Sequence, residues 1–312
     1  MSKPHAPGAS RVSEGQTFAG EGALARWMSF VKLPHTVFAL PFALVGATLA
    51  TRSAPLTLAM LGWIVLAFTC ARWVAMAVNR IVDREYDARN PRTAEREIPR
   101  GAIGVREAWV TVAIAAALFM WASAQLNPLC AKLAPLALAW VCFYSFTKRF
   151  TRYAHLVLGL GLAIAPVGGY LAVTGVWSDP WWMLAALTVA VMTWSGGFDI
   201  LYALPDIEFD RSQGLHSIPA AIGIERAMVV ARALHVVTAV SLSAAVWAAG
   251  AGVLAWVGVA VAAAILAWEH SLVSPRDLSK LDAAFFTMNG VISMTFLAFV
   301  VLDRVLLAGG AG

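Results

Sequence analysis

Apolar residues fall in nine runs of about twenty, at 30–50, 57–79, 107–125, 129–147, 155–175, 182–202, 230–249, 252–270 and 284–306, and most of the charge lies between them. As an α-helix, about 20 mostly apolar residues cross the hydrocarbon core of a bilayer. Such a helix also satisfies its own backbone groups inside lipid, which an open sheet edge cannot do. The pattern therefore predicts an all-α, polytopic membrane protein with nine transmembrane helices, occupying 28–306, around a central cavity. Residues 1–27 are rich in Gly, Ser and charge and lack the apolar centre of a secretory signal, so a disordered cytoplasmic tail is expected there, with a short C-terminal tail over 307–312.

Composition excludes a soluble domain, since 60% of the 312 residues are hydrophobic and only 13% charged, with a mean hydropathy of +0.73. The net charge of +5 is unevenly placed. Fifteen Lys and Arg lie in the loops after the second, fourth, sixth and eighth runs, against Arg52 and Lys132 in the alternate loops. By the positive-inside rule the richer loops and the N-terminus face the cytoplasm. The setting expected is a bacterial inner membrane, with lipid as a partner and nucleic acid not. Cys70, Cys130 and Cys142 sit in or beside apolar runs without CxxC spacing, as small packing residues would.

Two long loops on the basic side echo each other. After the second run stands "NRIVDREYDARNPRTAEREIPRGAIGV", and the sixth runs into "DILYALPDIEFDRSQGLHSIPAAIGI". Each has acids four apart at a helix end, then turn residues, then Ile-Pro and Ala-Ile-Gly. Helical periodicity puts Asn79, Asp83 and Asp87 on one side, and Asp206 and Asp210 likewise. Like charges at this spacing weaken an isolated helix. A single such pair reads well as a solvated helix end, but two copies in corresponding places point to a shared cation. Carboxylate and amide oxygens suit Mg²⁺, which typically joins one or two carboxylates to substrate phosphates. The two motifs are thus expected to form a diphosphate clamp.

These motifs and the nine-helix plan resemble the UbiA superfamily of intramembrane prenyltransferases, from about Ser29 to Leu302. "FVKLPHTVFALPFALVGA" and "DIEFDRSQGLHSIPA" are most similar to its 4-hydroxybenzoate polyprenyltransferase branch, including relatives in futalosine-route menaquinone synthesis. The resemblance implies that Asn79, Asp83, Asp87, Asp206 and Asp210 hold Mg²⁺ on a polyprenyl diphosphate, and that an aromatic acceptor such as 4-hydroxybenzoate takes the prenyl group. It further implies roles for Lys148 and Arg149 of "YSFTKRFT", matching a Lys-Arg phrase of the family, and for Arg72.

Chemistry at the residues agrees. Ionising an allylic diphosphate leaves charge on the departing group, which metals and basic side chains must offset. Arg84, beside Asp83, is a candidate for that work. Arg72 and Asp199 lie deeper, each seven residues before a motif and on its face. Burying such charges costs at least about 2.5 kcal/mol, so function is the default reading. Arg72 is expected at the diphosphate or at the acceptor's carboxylate, and Asp199 near the metal or the acceptor's hydroxyl; a structural pair between them is the alternative. Lys32 and His35, in "VKLPHTVFALPF", are candidates for acceptor binding, although the best-known 4-hydroxybenzoate members have a different phrase there. Tyr144, Tyr202 and Asn289 fall at plausible cavity positions. Haem farnesylation, chlorophyllide prenylation and secondary transport are the alternatives; a transporter site would sit nearer the middle of the membrane.

Overall fold

The structure, a computed structural model, describes residues 22–278, 281 and 288–309, with the side chains of 33–38 and 307–309 outside that description. Its helices are α1 (Ala23–Phe30), α2 (Leu33–Ala50), α3 (Leu58–Val82), α4 (Arg84–Arg89), α5 (Val105–Leu126), α6 (Pro128–Thr147), α7 (Ala154–Thr174), α8 (Trp182–Tyr202), α9 (Ile207–Ser212), α10 (Ile218–Ile222), α11 (Ile224–Ala248), α12 (Val253–Leu272) and α13 (Asn289–Gly309). A 3₁₀ turn, Leu204–Asp206, joins α8 to α9. Eight helices among the described residues are long and apolar enough to span a membrane. α2, whose described part contains the apolar stretch Ala39–Ala50, completes the nine-helix plan. The protein is an integral membrane protein.

Local chemistry sets the helix ends. Thr57 caps α3 by accepting from Met60 N at 3.2 Å, and Asn127 caps α6 by accepting from Cys130 N at 2.9 Å, with Pro128 at the first helical position. Gly175, at φ 68°, ends α7 in the left-handed region and returns its N–H to Leu171 O.

Two departures from the expected boundaries have local causes. α11 begins at Ile224 rather than 230 because its first turns carry exposed Glu225 and Arg226, which helix tolerates but an apolar window excludes. α1 begins at Ala23, inside the stretch expected as tail, and is tied down by Trp27, which stacks on Trp73 at 6.1 Å. The expected start of the ninth helix at 284 lies outside the described residues.

Lipid offers helices no hydrophobic drive to associate, so close backbone approach carries the packing. A Cβ on Gly46 would stand 1.9 Å from Pro166 O, and one on Gly169 2.0 Å from Ala43 O, so α2 and α7 meet through glycine from both sides. Gly159 does the same for α7 against Met192 O of α8, at 2.2 Å. α2, α7 and α8 thereby form the interior, where Phe42 and Trp194 pack at 4.8 Å. Trp109, Ile114, Trp121, Leu136, Val236 and Val240 are exposed on the outside, as lipid-facing residues should be.

Candidate active site

The first motif keeps its register across a break. α3 ends at Val82, yet Asp83 N donates to Asn79 O at 2.9 Å and Asp87 N to Asp83 O at 2.8 Å, so the i, i+4 ladder runs on into α4. Asn79, Asp83 and Asp87 share one face, and Asn79 Nδ2 donates to Asp83 Oδ2 at 2.9 Å. The second motif is built differently. Asp206 closes the 3₁₀ turn that contains Pro205, and Asp210 sits in α9; both are buried. The two loops interlock: Asn90 Nδ2 donates to Asp206 Oδ1 at 3.1 Å, and Arg89 to Gln213 at 3.0 Å.

Each acid of the two motifs has a basic partner. Arg96 holds Asp87 at 2.7 Å, Arg92 forks onto Asp206, Lys148 lies 3.7 Å from Asp210 and Arg149 3.6 Å from Asp83. Burial, and then the neighbouring Asp87, push the Asp83 carboxyl up to about 6, against the pull of Lys148, Arg149 and Arg96. Burial alone would lower Lys148, but Asp210, Asp199, Asp206 and Asp83 outweigh it and raise it above the ordinary value. Arg92 and Arg96 were not singled out from the sequence, although both stand in the first loop phrase.

Arg84 is a correction. Its guanidinium donates to Ile81 O and Glu85 at 3.0 Å, is 43% exposed, and does not line the cavity, because one residue past Asp83 is about 100° around the helix. Arg72 and Asp199 do line it, as their spacing predicts, but they do not pair with each other. Asp199 Oδ2 instead lies 2.6 Å from His155 Nδ1. Lys32, buried and in the left-handed region at φ 47°, also lines the cavity and approaches the Tyr202 ring at 5.8 Å, with Arg92 5.0 Å from that ring's centre. Tyr144 stands on the same wall, while Asn289 is buried away from it. The side chain of His35 lies outside the described residues.

The polar chamber has a volume of about 250 Å³ and holds all of these acids and their partners. Ala39, Arg72, Tyr144, Leu158 and Leu162 are common to it and to an apolar chamber of about 580 Å³ between α3, α6 and α7. A charged head and a long apolar tail thus have adjoining compartments.

The residues present also fit a divalent cation. Among the described residues Asp87 Oδ2 and Asp210 Oδ2 are buried without a hydrogen-bond partner, a costly condition that a hard cation would relieve. Among the described residues no three His, Cys, Asp or Glu side chains gather closely enough to hold an ion alone. That spread suits a cation completed by water and phosphate oxygens.

Residues 39–291 match the UbiA prenyltransferase family. The chain belongs to that family. It is 30% identical over 244 residues to 4-hydroxybenzoate octaprenyltransferase of Azotobacter vinelandii, covering 77% of this chain and 81% of the relative. It is 31% identical over 231 residues to the enzyme of the same name from Aromatoleum aromaticum, covering 74% and 77%. The apo structure of a UbiA homolog from Aeropyrum pernix superposes with a TM-score of 0.79 at 35% identity, over 86% of this chain and 98% of that one. A UbiA homolog from Archaeoglobus fulgidus bound to GPP and Mg²⁺ shares the fold at 20% identity, with a TM-score of 0.66 over 90% and 99%. As a UbiA-family member the protein is an intramembrane prenyltransferase.

Proposed function

We propose that this UbiA-family enzyme moves a polyprenyl group from its diphosphate to an aromatic quinone precursor, with 4-hydroxybenzoate as acceptor. The observation that carries the reading is the polar chamber, with two acidic motifs opposed across it, adjoining an apolar chamber suited to an isoprenoid tail. The names of the Azotobacter and Aromatoleum relatives support the acceptor. The GPP and Mg²⁺ of the Archaeoglobus neighbour support the donor and the metal. Asn79, Asp83, Asp87, Asp206 and Asp210 would hold Mg²⁺, which when bound offsets the charge that builds on the departing diphosphate.

Other side chains have separate work in this reading. Arg92, Arg96, Lys148 and Arg149 exchange their carboxylate partners for diphosphate oxygens. Arg72, at the junction of the chambers with Nε unpartnered among the described residues, takes the acceptor's carboxylate. Lys32 closes that end of the acceptor site, and Asp199 faces the acceptor's hydroxyl. Ring carbon then meets the allylic carbon in a chamber the tail has sealed from water. The positive-inside rule, applied to the basic loops, supports a chamber that opens toward the cytoplasm of a bacterial inner membrane.

The test is product formation in detergent from octaprenyl diphosphate and 4-hydroxybenzoate, with Mg²⁺ or EDTA, read by mass spectrometry. A Mg²⁺-dependent adduct supports the reading. Release of diphosphate without an adduct would replace the acceptor, and adduct formation in EDTA would remove the metal.

A further inference from the structure

Among the described residues, Asp199 is the acid of the chamber with no Lys or Arg within ion-pair distance. Its partner is His155, on the first turn of α7, whose ring is fully buried with Nδ1 2.6 Å from Asp199 Oδ2. The Asp199 side chain is 24% exposed and lines the chamber, whereas His155 stands behind it and touches no part of the cavity wall. The approach depends on small residues between the helices. A Cβ on Gly159 would meet Met192 O at 2.2 Å, and one on Gly196 would meet Leu156 Cδ2 at 2.9 Å and His155 O at 3.5 Å. α7 and α8 can therefore close far enough for the imidazole to reach the carboxylate.

The hydrogen-bond inventory settles the tautomer. A carboxylate only accepts, so the proton of this bond is on Nδ1. His155 Nε2 is buried with no partner among the described residues. An imidazolium would leave a buried N–H unpaired there, at a cost of about 1–3 kcal/mol, whereas a neutral ring leaves only a lone pair. A ring that donates from Nδ1 and carries no proton on Nε2 leaves the fewest buried donors unpaired. One turn earlier on the same helix face, Ser195 Oγ is buried at the chamber wall, also without a partner. This corner offers an acceptor's hydroxyl both a proton acceptor and a second polar contact.

We infer that His155 is a positioning residue that holds Asp199 aimed at the hydroxyl of the aromatic acceptor. The inference rests on the acceptor reading given above. The chemistry balances without any redox partner. As the ring carbon ortho to the hydroxyl bonds to the allylic carbon, the allylic C–O bond breaks and its electron pair leaves with diphosphate. The hydroxyl proton passes to Asp199, giving a neutral dienone. The ring proton at the new bond is then taken by the released diphosphate, and Asp199 returns its proton to the oxygen, restoring the phenol and the carboxylate. One proton leaves per turnover.

The test compares His155→Leu, His155→Gln and Asp199→Asn using geranyl diphosphate with 4-hydroxybenzoate or 2,6-difluoro-4-hydroxybenzoate, whose hydroxyl is more acidic and whose ortho carbons are free. A positioned base contributes about 10²–10⁴-fold. His155→Leu is therefore expected to lower kcat by about 100-fold on 4-hydroxybenzoate while changing KM for geranyl diphosphate less than about threefold. The penalty should shrink about tenfold on the difluoro acceptor, which needs the base less. His155→Gln, able to donate one hydrogen bond from a similar place, should regain most of the loss. Adding His155→Leu to Asp199→Asn should cost nothing further, because both remove one unit. Equal penalties on the two acceptors, or additive losses in the double variant, would reduce His155 to a packing residue and overturn the inference alone. No turnover of either phenol by the unaltered enzyme would overturn the acceptor reading and this one with it.

Discussion

Replacing Arg96 by Met tests whether the first motif is held for a cation. Arg96 Nη1 donates to Asp87 Oδ1 at 2.7 Å, with the two side chains 14% and 9% exposed, and Asp87 Oδ2 is buried without a hydrogen-bond partner. Removing one member of such a pair leaves a buried charge and costs about 3–5 kcal/mol. At about 2 °C per kcal/mol for a large domain, the apparent melting temperature in detergent with EDTA should fall by about 6–10 °C. Mg²⁺ can then supply the missing charge. At one hundred times its Kd a ligand of the folded state contributes about 2.7 kcal/mol, which would restore about 5 °C. In the parent protein Arg96 already holds Asp87, so Mg²⁺ alone should raise melting less. Arg84→Met, which breaks an exposed contact with Glu85 and a hydrogen bond to Ile81 O, is the control and should cost no more than about 1–2 kcal/mol. The assay is thermal unfolding of the three proteins in EDTA and across a Mg²⁺ titration. Melting of Arg96→Met at the parent's temperature in EDTA, or equal Mg²⁺ gains in both, would refute the reasoning.

Asp83→Ala and Asp206→Ala should each lower prenylation by at least about 10²-fold, with the folded protein still extracted from membranes, as activity assays and size-exclusion profiles would check. Gly169→Val puts a Cβ 2.0 Å from Ala43 O and should force α2 from α7, lowering the melting temperature sharply, whereas Gly168→Ala, with nothing within 4 Å, should not. Arg72→Met should raise KM for 4-hydroxybenzoate more than about tenfold and leave binding of prenyl diphosphate nearly unchanged, a split that calorimetry and initial rates can read. Mg²⁺ and prenyl diphosphate should each tighten the other's binding by the same factor, measurable as Kd values in both orders of addition.

The sequence carries the helices plainly because a membrane span is a property of twenty consecutive residues, and α6 and α8 lie within a residue of their expected bounds. The acidic faces were legible for a related reason: Asn79, Asp83 and Asp87 obey a four-residue period that the backbone keeps through the break after Val82. Their partners obey no period. Arg96 reaches Asp87 across a loop from nine residues on, and Arg92 reaches Asp206 from 114 residues away. His155 meets Asp199 only because glycines let two helices approach. Arg84 shows the converse error, since adjacency to Asp83 along the chain turned it off the shared face. Helical spacing says which residues share a side; it does not say what the other side of a cavity will bring.

Charge explains why acids and bases are so dense at this edge. The chamber wall carries five acids, Asp83, Asp87, Asp199, Asp206 and Asp210, against six bases, Lys32, Arg72, Arg92, Arg96, Lys148 and Arg149. Either set alone would be costly so near low-dielectric surroundings, where charges are worth several times their value in water. Together they nearly cancel. A divalent cation or a diphosphate entering alone would unbalance it by about two or three charges, whereas both entering together change it by about one. The same paired array therefore favours joint binding of cation and diphosphate. In the function proposed above, carboxylates released by the bases would turn to the metal, and the released bases to the diphosphate. Asp199 would stand outside this exchange because its partner is His155 rather than a Lys or Arg, and it would face the acceptor throughout.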